Sequence, residues 1–290
     1  RFDVTGDVHV TSPENLTLTI SDVSGELHLS SNKKLVVASH VNAGKGIYLG
    51  GAPVEFSKFS AAFTSGDSSV IDIRSNPGWD LNIHGTIIAG GAGGSEGVVW
   101  SGNDASVHLE SDQQVYLDGA IFASDLLNVV GGTPGADDNE LRVLVSTQAG
   151  LSSGGQTSDG TAGQVKVTAH GNLEIMGNLV SGGTVSQTFD AEGDLVTQTV
   201  NWSDEGGGEI IIHATGQAYI GGTTVNKNGE TVQTGGYLTA KDRIEVSGTS
   251  HRSGTATLIH AASELVTHGD ASNITITGTK GDVEVLGTLL

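Results

Sequence analysis

The sequence predicts an all-β fold, a parallel β-helix (β-solenoid) with about three short strands per coil. Three observations carry that expectation. Apolar-polar-apolar triplets recur at fixed offsets: Val165, Leu173 and Leu179 are spaced eight and then six residues apart, and so are Leu27, Leu35 and Val41, and Val107, Val115 and Ile121. Glycine supplies 44 of 290 residues, roughly twice the usual share, against 4 prolines. No ten-residue stretch shows the 3.6-residue apolar period of a helix.

The first strand of each unit is a triplet such as Val165-Lys166-Val167. Two or three inward residues make a strand of about four or five, too short to hold in a hairpin. Stacked about 4.8 Å above its own copy, it gains a hydrogen-bond ladder and a column of buried Val, Ile and Leu. The second strand follows eight residues on, and the step stretches to ten in Ile71, Leu81, Ile87 and nine in Ile274, Val283, Leu289. That corner is therefore a loose one. Ile210, Ala218 and Thr224 keep the eight-six spacing with weaker apolar character, and partial copies start at Val8/Leu16, at Val143/Leu151 and at Ile244. The six-residue step to the third strand crosses Gly85, Gly119, Gly177, Gly222 and Gly287. It reads as a tight corner in which glycine supplies a positive φ.

The intervals between units vary, and the excess is expected after the third strand, along one edge of the solenoid. Insertions are expected near 131–140, 152–163, 184–208 and 223–235. Val185–Val200 and Thr223–Thr234 read as hairpins, the second turning at Asn228-Gly229. Gly131–Glu140 reads as an irregular loop and Ser152–Gly163 as a Gly/Ser-rich one. Both ends run straight into the repeat without a polar cap. The expectation is a single β-helical segment, 1–290, excised from a longer array.

Asp and Glu outnumber Lys and Arg 33 to 13, a net charge of -20. Such a surface repels nucleic acid and anionic membranes and suits an extracellular location. With no cysteine there is no disulfide framework and no thiolate metal site. No apolar run approaches the roughly 18 residues of a membrane span.

The candidate site residues are few. His28 and His108 share an outward column that Lys166 and Ile211 occupy in other copies, which points to solvated side chains. GGTPGADDN resembles one imperfect calcium-binding nonapeptide, leaving calcium at Asp137 and Asp138 an open question beside an ordinary Asx-type turn. Asp72 and Asp80 fall within one copy, and no other copy repeats an acidic column. Trp79, Trp100 and Trp202 sit near loops, as flank covers or as sugar or partner contacts. No catalytic, cofactor or metal residue is assigned, and no enzyme activity is expected.

GNLEIMGNLVSGG, GWDLNIHGTIIAGG and GDVEVLGTLL resemble the repeats of filamentous-haemagglutinin-type adhesins, exported by two-partner secretion. The resemblance covers most of the chain in scattered copies and implies a right-handed parallel β-helix on a bacterial cell surface, within a very long parent chain. The chain departs from the family in lacking a recognisable secretion domain and in its irregular coil lengths. The expected function is a rigid adhesin segment displaying loops for attachment. The expected partners are host or neighbouring-cell surfaces, glycans or matrix, or other copies of the chain. The alternatives are a self-assembling sheath or surface-layer subunit, and a carbohydrate-active lyase or hydrolase.

Overall fold

The alternating triplets stack. In the computed structural model Val165 pairs in register with Leu127 on one side and Ile210 on the other, and all three are fully buried. The structure describes residues 2–19, 21–94, 97–135, 139–155, 162–189, 195–202, 207–225, 229–249 and 254–290. Among them three parallel sheets run the length of the molecule. The first holds ten strands, from Val8–Ser12 to Asn273–Gly278; the second ten, from Leu16–Leu18 to Asp282–Val285; the third eleven, from Phe2–Val4 to Thr288–Leu289. Successive strands visit the sheets in turn, so the fold is a parallel β-helix of ten coils preceded by one strand. At about 4.8 Å per coil the coils span about 45–50 Å.

The core is a set of aliphatic columns. Leu27, Ile47, Ile71, Val107, Leu127, Val165, Ile210 and Ile244 form one in the first sheet, and each is largely or wholly shielded by the coils above and below. Val8 and Ile274, with a neighbour on one side only, are partly buried. Period-two alternation fixes this register, because a slip of one residue would turn each column out to water.

Four sequence expectations need correction. One whole coil, Ile47, Val54 and Ala62, escapes the eight-six rule because its spacing is seven and eight. Val143 does not open a unit: it pairs with Val115 and Leu173 in the second sheet, and its coil opens at Leu127. The insertion at 131–140 therefore lies at the first corner, not after the third strand. Thr224 is not a third-strand residue either. It pairs with Val232 in a hairpin, and Leu238 takes the third position.

The last correction concerns the tight-corner glycines. Gly85, Gly119, Gly177 and Gly287 do not have positive φ. The residue before each third-sheet strand is instead small in nine coils: Ser39, Ser60, Gly85, Gly119, Ala149, Gly177, Gly236, Ser263 and Gly287. A Cβ on Gly85 would lie 2.5 Å from the Ser60 carbonyl oxygen of the coil before it. Proximity between coils, and not backbone handedness, selects the residue here.

Both expected hairpins form. Gly183–Phe189 pairs antiparallel with Leu195–Trp202, Val185 opposite Val200. Gly222–Val225 pairs with Thr231–Thr234, with Gly229 at φ 79° in the turn. A third, unanticipated hairpin joins Gly91–Gly94 to Gly97–Trp100. Two hairpins leave after the third sheet and one leaves between the second and third, so the excursions do not share one edge. Within the expected insertions, residues 136–138, 156–161, 190–194, 203–206 and 226–228 lie outside the described residues.

Candidate functional site

The outer face of the third sheet departs most from a plain solenoid. Its outward column reads Asp22, Asn42, Phe63, Ile88, Phe122, Ser152, Val180, Thr239 and Val266 in register. An outward column should be wet, yet Ile88 is 1% exposed and Ser152, Val180 and Thr239 are 0%. Two hairpins cover them. Strand Gly91–Gly94 lies against Ala61–Thr64 and Thr86–Ala89, and Gly183–Phe189 lies against Gly150–Ser153 and Asn178–Ser181. The Ser152 hydroxyl donates to the Gly183 carbonyl at 3.0 Å. Gly97–Trp100 lies beside Gly183–Phe189, so the hairpins form a second layer.

Trp100 and Trp202 anchor this layer. A Cβ on Gly154 would meet the Trp100 ring at 2.6 Å, which shows how closely the indole rests on the coil. Trp202 packs on His268 with ring centroids 4.3 Å apart, and His268 Nε2 lies 3.1 Å from the Thr239 hydroxyl. Trp79 stands apart at the first corner, 50% exposed, its carbonyl accepting from the Ser111 hydroxyl at 2.7 Å.

The layer stops at Gly91–Gly94. Beside it, over the earlier coils, lies a groove of about 740 Å³. Its floor includes Asp22, Asn42 and Phe63, and Gly91, Ala92 and Gly93 form a wall. Asn42 Nδ2 donates to Asp22 Oδ1 at 2.7 Å, and His40 stacks on Phe63 at 6.4 Å between centroids. The floor mixes one aromatic ring with amide and carboxylate groups, and the wall offers backbone.

The other candidates lie in contacts within and between coils. His28 and His108 share one outward column, separated by Tyr48 and Asp72. The rings of His9, His28 and Tyr48 stack at 4.4 and 4.3 Å, the coil spacing itself, and His28 Nε2 meets Glu26 at 2.9 Å. Asp72 grips Arg74, which also reaches Glu110 at 3.0 Å, and Asp80 accepts from the Gln114 amide at 3.1 Å. The ring stack, the Arg74–Glu110 pair and the Asp80–Gln114 bond tie neighbouring coils together. Among the described residues no three His, Cys, Asp or Glu gather as metal ligands. Asp137 and Asp138 lie outside those residues.

On the second sheet, burial raises Glu174 above the usual carboxylate range, and burial, then the Glu174 charge, raises Tyr219. Burial, then the nearby His213, lowers His170. Among the described residues no helix is long and apolar enough to cross a membrane.

Sequence reasoning missed the groove. A signal for the layer was present in Thr86-Ile87-Ile88-Ala89 and Asn178-Leu179-Val180-Ser181, where the outward residue between or beside core positions is itself aliphatic. That doubling marks a strand buried on both faces. Comparison with known proteins finds no matching family model, no similar curated protein and no similar solved structure.

Proposed function

We propose that the chain is a structural and binding segment of a large secreted bacterial adhesin, a stiff rod that presents its hairpin-bearing flank to another surface. The observation that carries this reading is the pairing of a ten-coil core with a second layer that, among the described residues, is built on one face. Each interior coil is held by a ladder on both sides, so the rod transmits load along its axis and keeps lateral elements in fixed positions. The resemblance of GNLEIMGNLVSGG to haemagglutinin-type repeats and the net charge of -20 support an extracellular setting. Partner contacts fall on the hairpins and the groove, because binding residues concentrate on excursions from a rigid scaffold.

The test uses latex beads coated with the chain, applied to epithelial monolayers and to surfaces carrying collagen or a neutral glycan. Beads bearing the wild type should attach several-fold more than beads bearing a variant in which 184–201 is replaced by a short Gly/Ser loop. Attachment no better than that of bare beads on all three surfaces overturns the reading.

A further inference from the structure

The groove is bounded by an unprotected strand edge. Gly91–Gly94 pairs with Gly97–Trp100 along one side, and no second partner strand joins it among the described residues. Such an edge presents N–H and C=O groups ready to pair with another chain. Proteins usually blunt it with lysine, proline, a bulge or a covering segment. Gly91, Ala92, Gly93 and Gly94 contain neither charge nor proline, and their register with 97–100 is regular. Three of these four residues wall the groove, so no bulky side chain stands between the edge and the space beside it.

The remainder of this face shows what kind of occupant fits. Where the outer surface of the third sheet is covered, it is covered by extended strands, with Gly97–Trp100 beside Gly183–Phe189. The groove continues that layer toward the earlier coils, over Phe63 and Asn42.

The geometry points to strand addition: the groove takes an extended polypeptide segment of net positive charge, which pairs with Gly91–Gly94 and lies across Asn42 and Phe63. Backbone bonds to the edge supply affinity, and alternate side chains facing the floor supply specificity. A downward apolar side chain meets the Phe63 ring. The field of a chain carrying a net charge of -20 draws in a cationic segment and repels an anionic one. The inference deepens the adhesin reading by naming the partner's chemistry, and rests on that reading only for its biological setting.

A random twelve-residue peptide display library is panned on the full chain and counter-selected on Asn42→Lys. Asn42 is exposed, so the substitution spares the core. Enriched peptides should alternate apolar residues with lysine or arginine. By fluorescence anisotropy an enriched peptide should bind the wild type at least tenfold more tightly than Asn42→Lys. N-methylation of alternate residues, which removes the N–H groups along one peptide edge, should abolish binding for one of the two patterns and leave the other within about threefold. Failure of any peptide to enrich over the counter-selection, enrichment of acidic peptides, or equal binding of both N-methylated patterns overturns the proposal. So does selective binding in a parallel glycan array that Asn42→Lys abolishes without any peptide binding. The bead assay with Asn42→Lys separates the two readings. Undiminished attachment together with failed panning removes the strand-addition proposal alone, and peptide binding without bead attachment removes the adhesin reading alone.

Discussion

Alanine at Gly85 should unsettle the whole solenoid, whereas alanine at Gly50 should strengthen it. A Cβ on Gly85 would lie 2.5 Å from the Ser60 carbonyl oxygen, 2.6 Å from the Ser60 hydroxyl and 2.8 Å from the Ser57 carbonyl oxygen. Ordinary van der Waals contact begins near 3.4 Å, so the coils must part by about 0.9 Å at this corner. The oxygens cannot step aside. The Ser60 hydroxyl donates to the Ser57 carbonyl at 2.7 Å, and the Ser60 carbonyl accepts from the Thr86 amide at 2.9 Å. Overpacking costs about 1–3 kcal/mol, and the lost buried backbone bond about 1–3 more. The stiffer unfolded chain returns about 0.4–1. The net is a loss of about 3 kcal/mol.

Gly50 has nothing within 4 Å of its Cβ position and no positive φ, so only the gain remains, about 0.5–1 kcal/mol. Urea unfolding followed by far-ultraviolet circular dichroism reads both changes. With a slope of about 3 kcal/mol/M the Gly85→Ala midpoint falls by about 1 M, and that of Gly50→Ala rises slightly. If the two variants unfold at the same midpoint, close approach between coils does not select the residue at this corner.

Four further outcomes follow from the same geometry. Leu173→Ala removes a fully buried side chain from the second-sheet column and should cost about 2–5 kcal/mol by the same urea assay. An extra glycine between Gly229 and Glu230 should change stability by less than about 0.5 kcal/mol, because it lengthens a hairpin turn on the solvent side. An extra glycine between Gly85 and Thr86 shifts the third strand by one residue and turns Ile87 outward, at a cost of at least about 2 kcal/mol. Burial raises the Glu174 carboxyl above its unfolded value, so its contribution is fully present below the unfolded pKa and is lost as pH rises through the folded one. Glu174→Gln should therefore be more stable than the wild type at pH 7, with the gap closing toward pH 4; a gap that widens in acid would contradict burial as the cause.

Much of the fold was legible because a coil has few degrees of freedom. Leu27, Leu35 and Val41 fall on three sheets of one coil with no insertion between them, and their spacing alone describes the structure. The reading slipped where spacing ceased to report position. Val143 has the right alternation, but alternation does not say which sheet a strand joins; its partners Val115 and Leu173 do. Thr224 lies at the expected offset, yet the hairpin signal at Asn228-Gly229 overrides it. The groove was the least legible feature. It depends on where a glycine-rich hairpin comes to rest over the third sheet, and Gly-Ala-Gly-Gly has almost no side-chain pattern to read.

The irregular coils obey a rule of their own. Two excursions open at the first corner, after Gly131 and after Gly248, and both return through an extra residue in the second-sheet strand, Arg142 and Ala256. In each case the carbonyl of the extra residue sits where a Cβ on the glycine would be. Most other coils use serine or alanine at this point, as in Ser31, Ser111 and Ala169. At Gly131 and Gly248 the bulge accounts for the glycine, whereas Gly51 and Gly278 hold the same register position without one. A returning loop arrives out of step, one surplus residue absorbs the mismatch, and only a residue without a side chain leaves room for it. The hairpin at the second corner solves the problem differently: it closes before Gly236, whose Cβ would lie 2.5 Å from the Ile175 carbonyl oxygen, and so rejoins the small-residue column intact. Excursions of either kind leave the inward columns unbroken, which is how a stiff rod can carry varied loops on its flanks without losing its register.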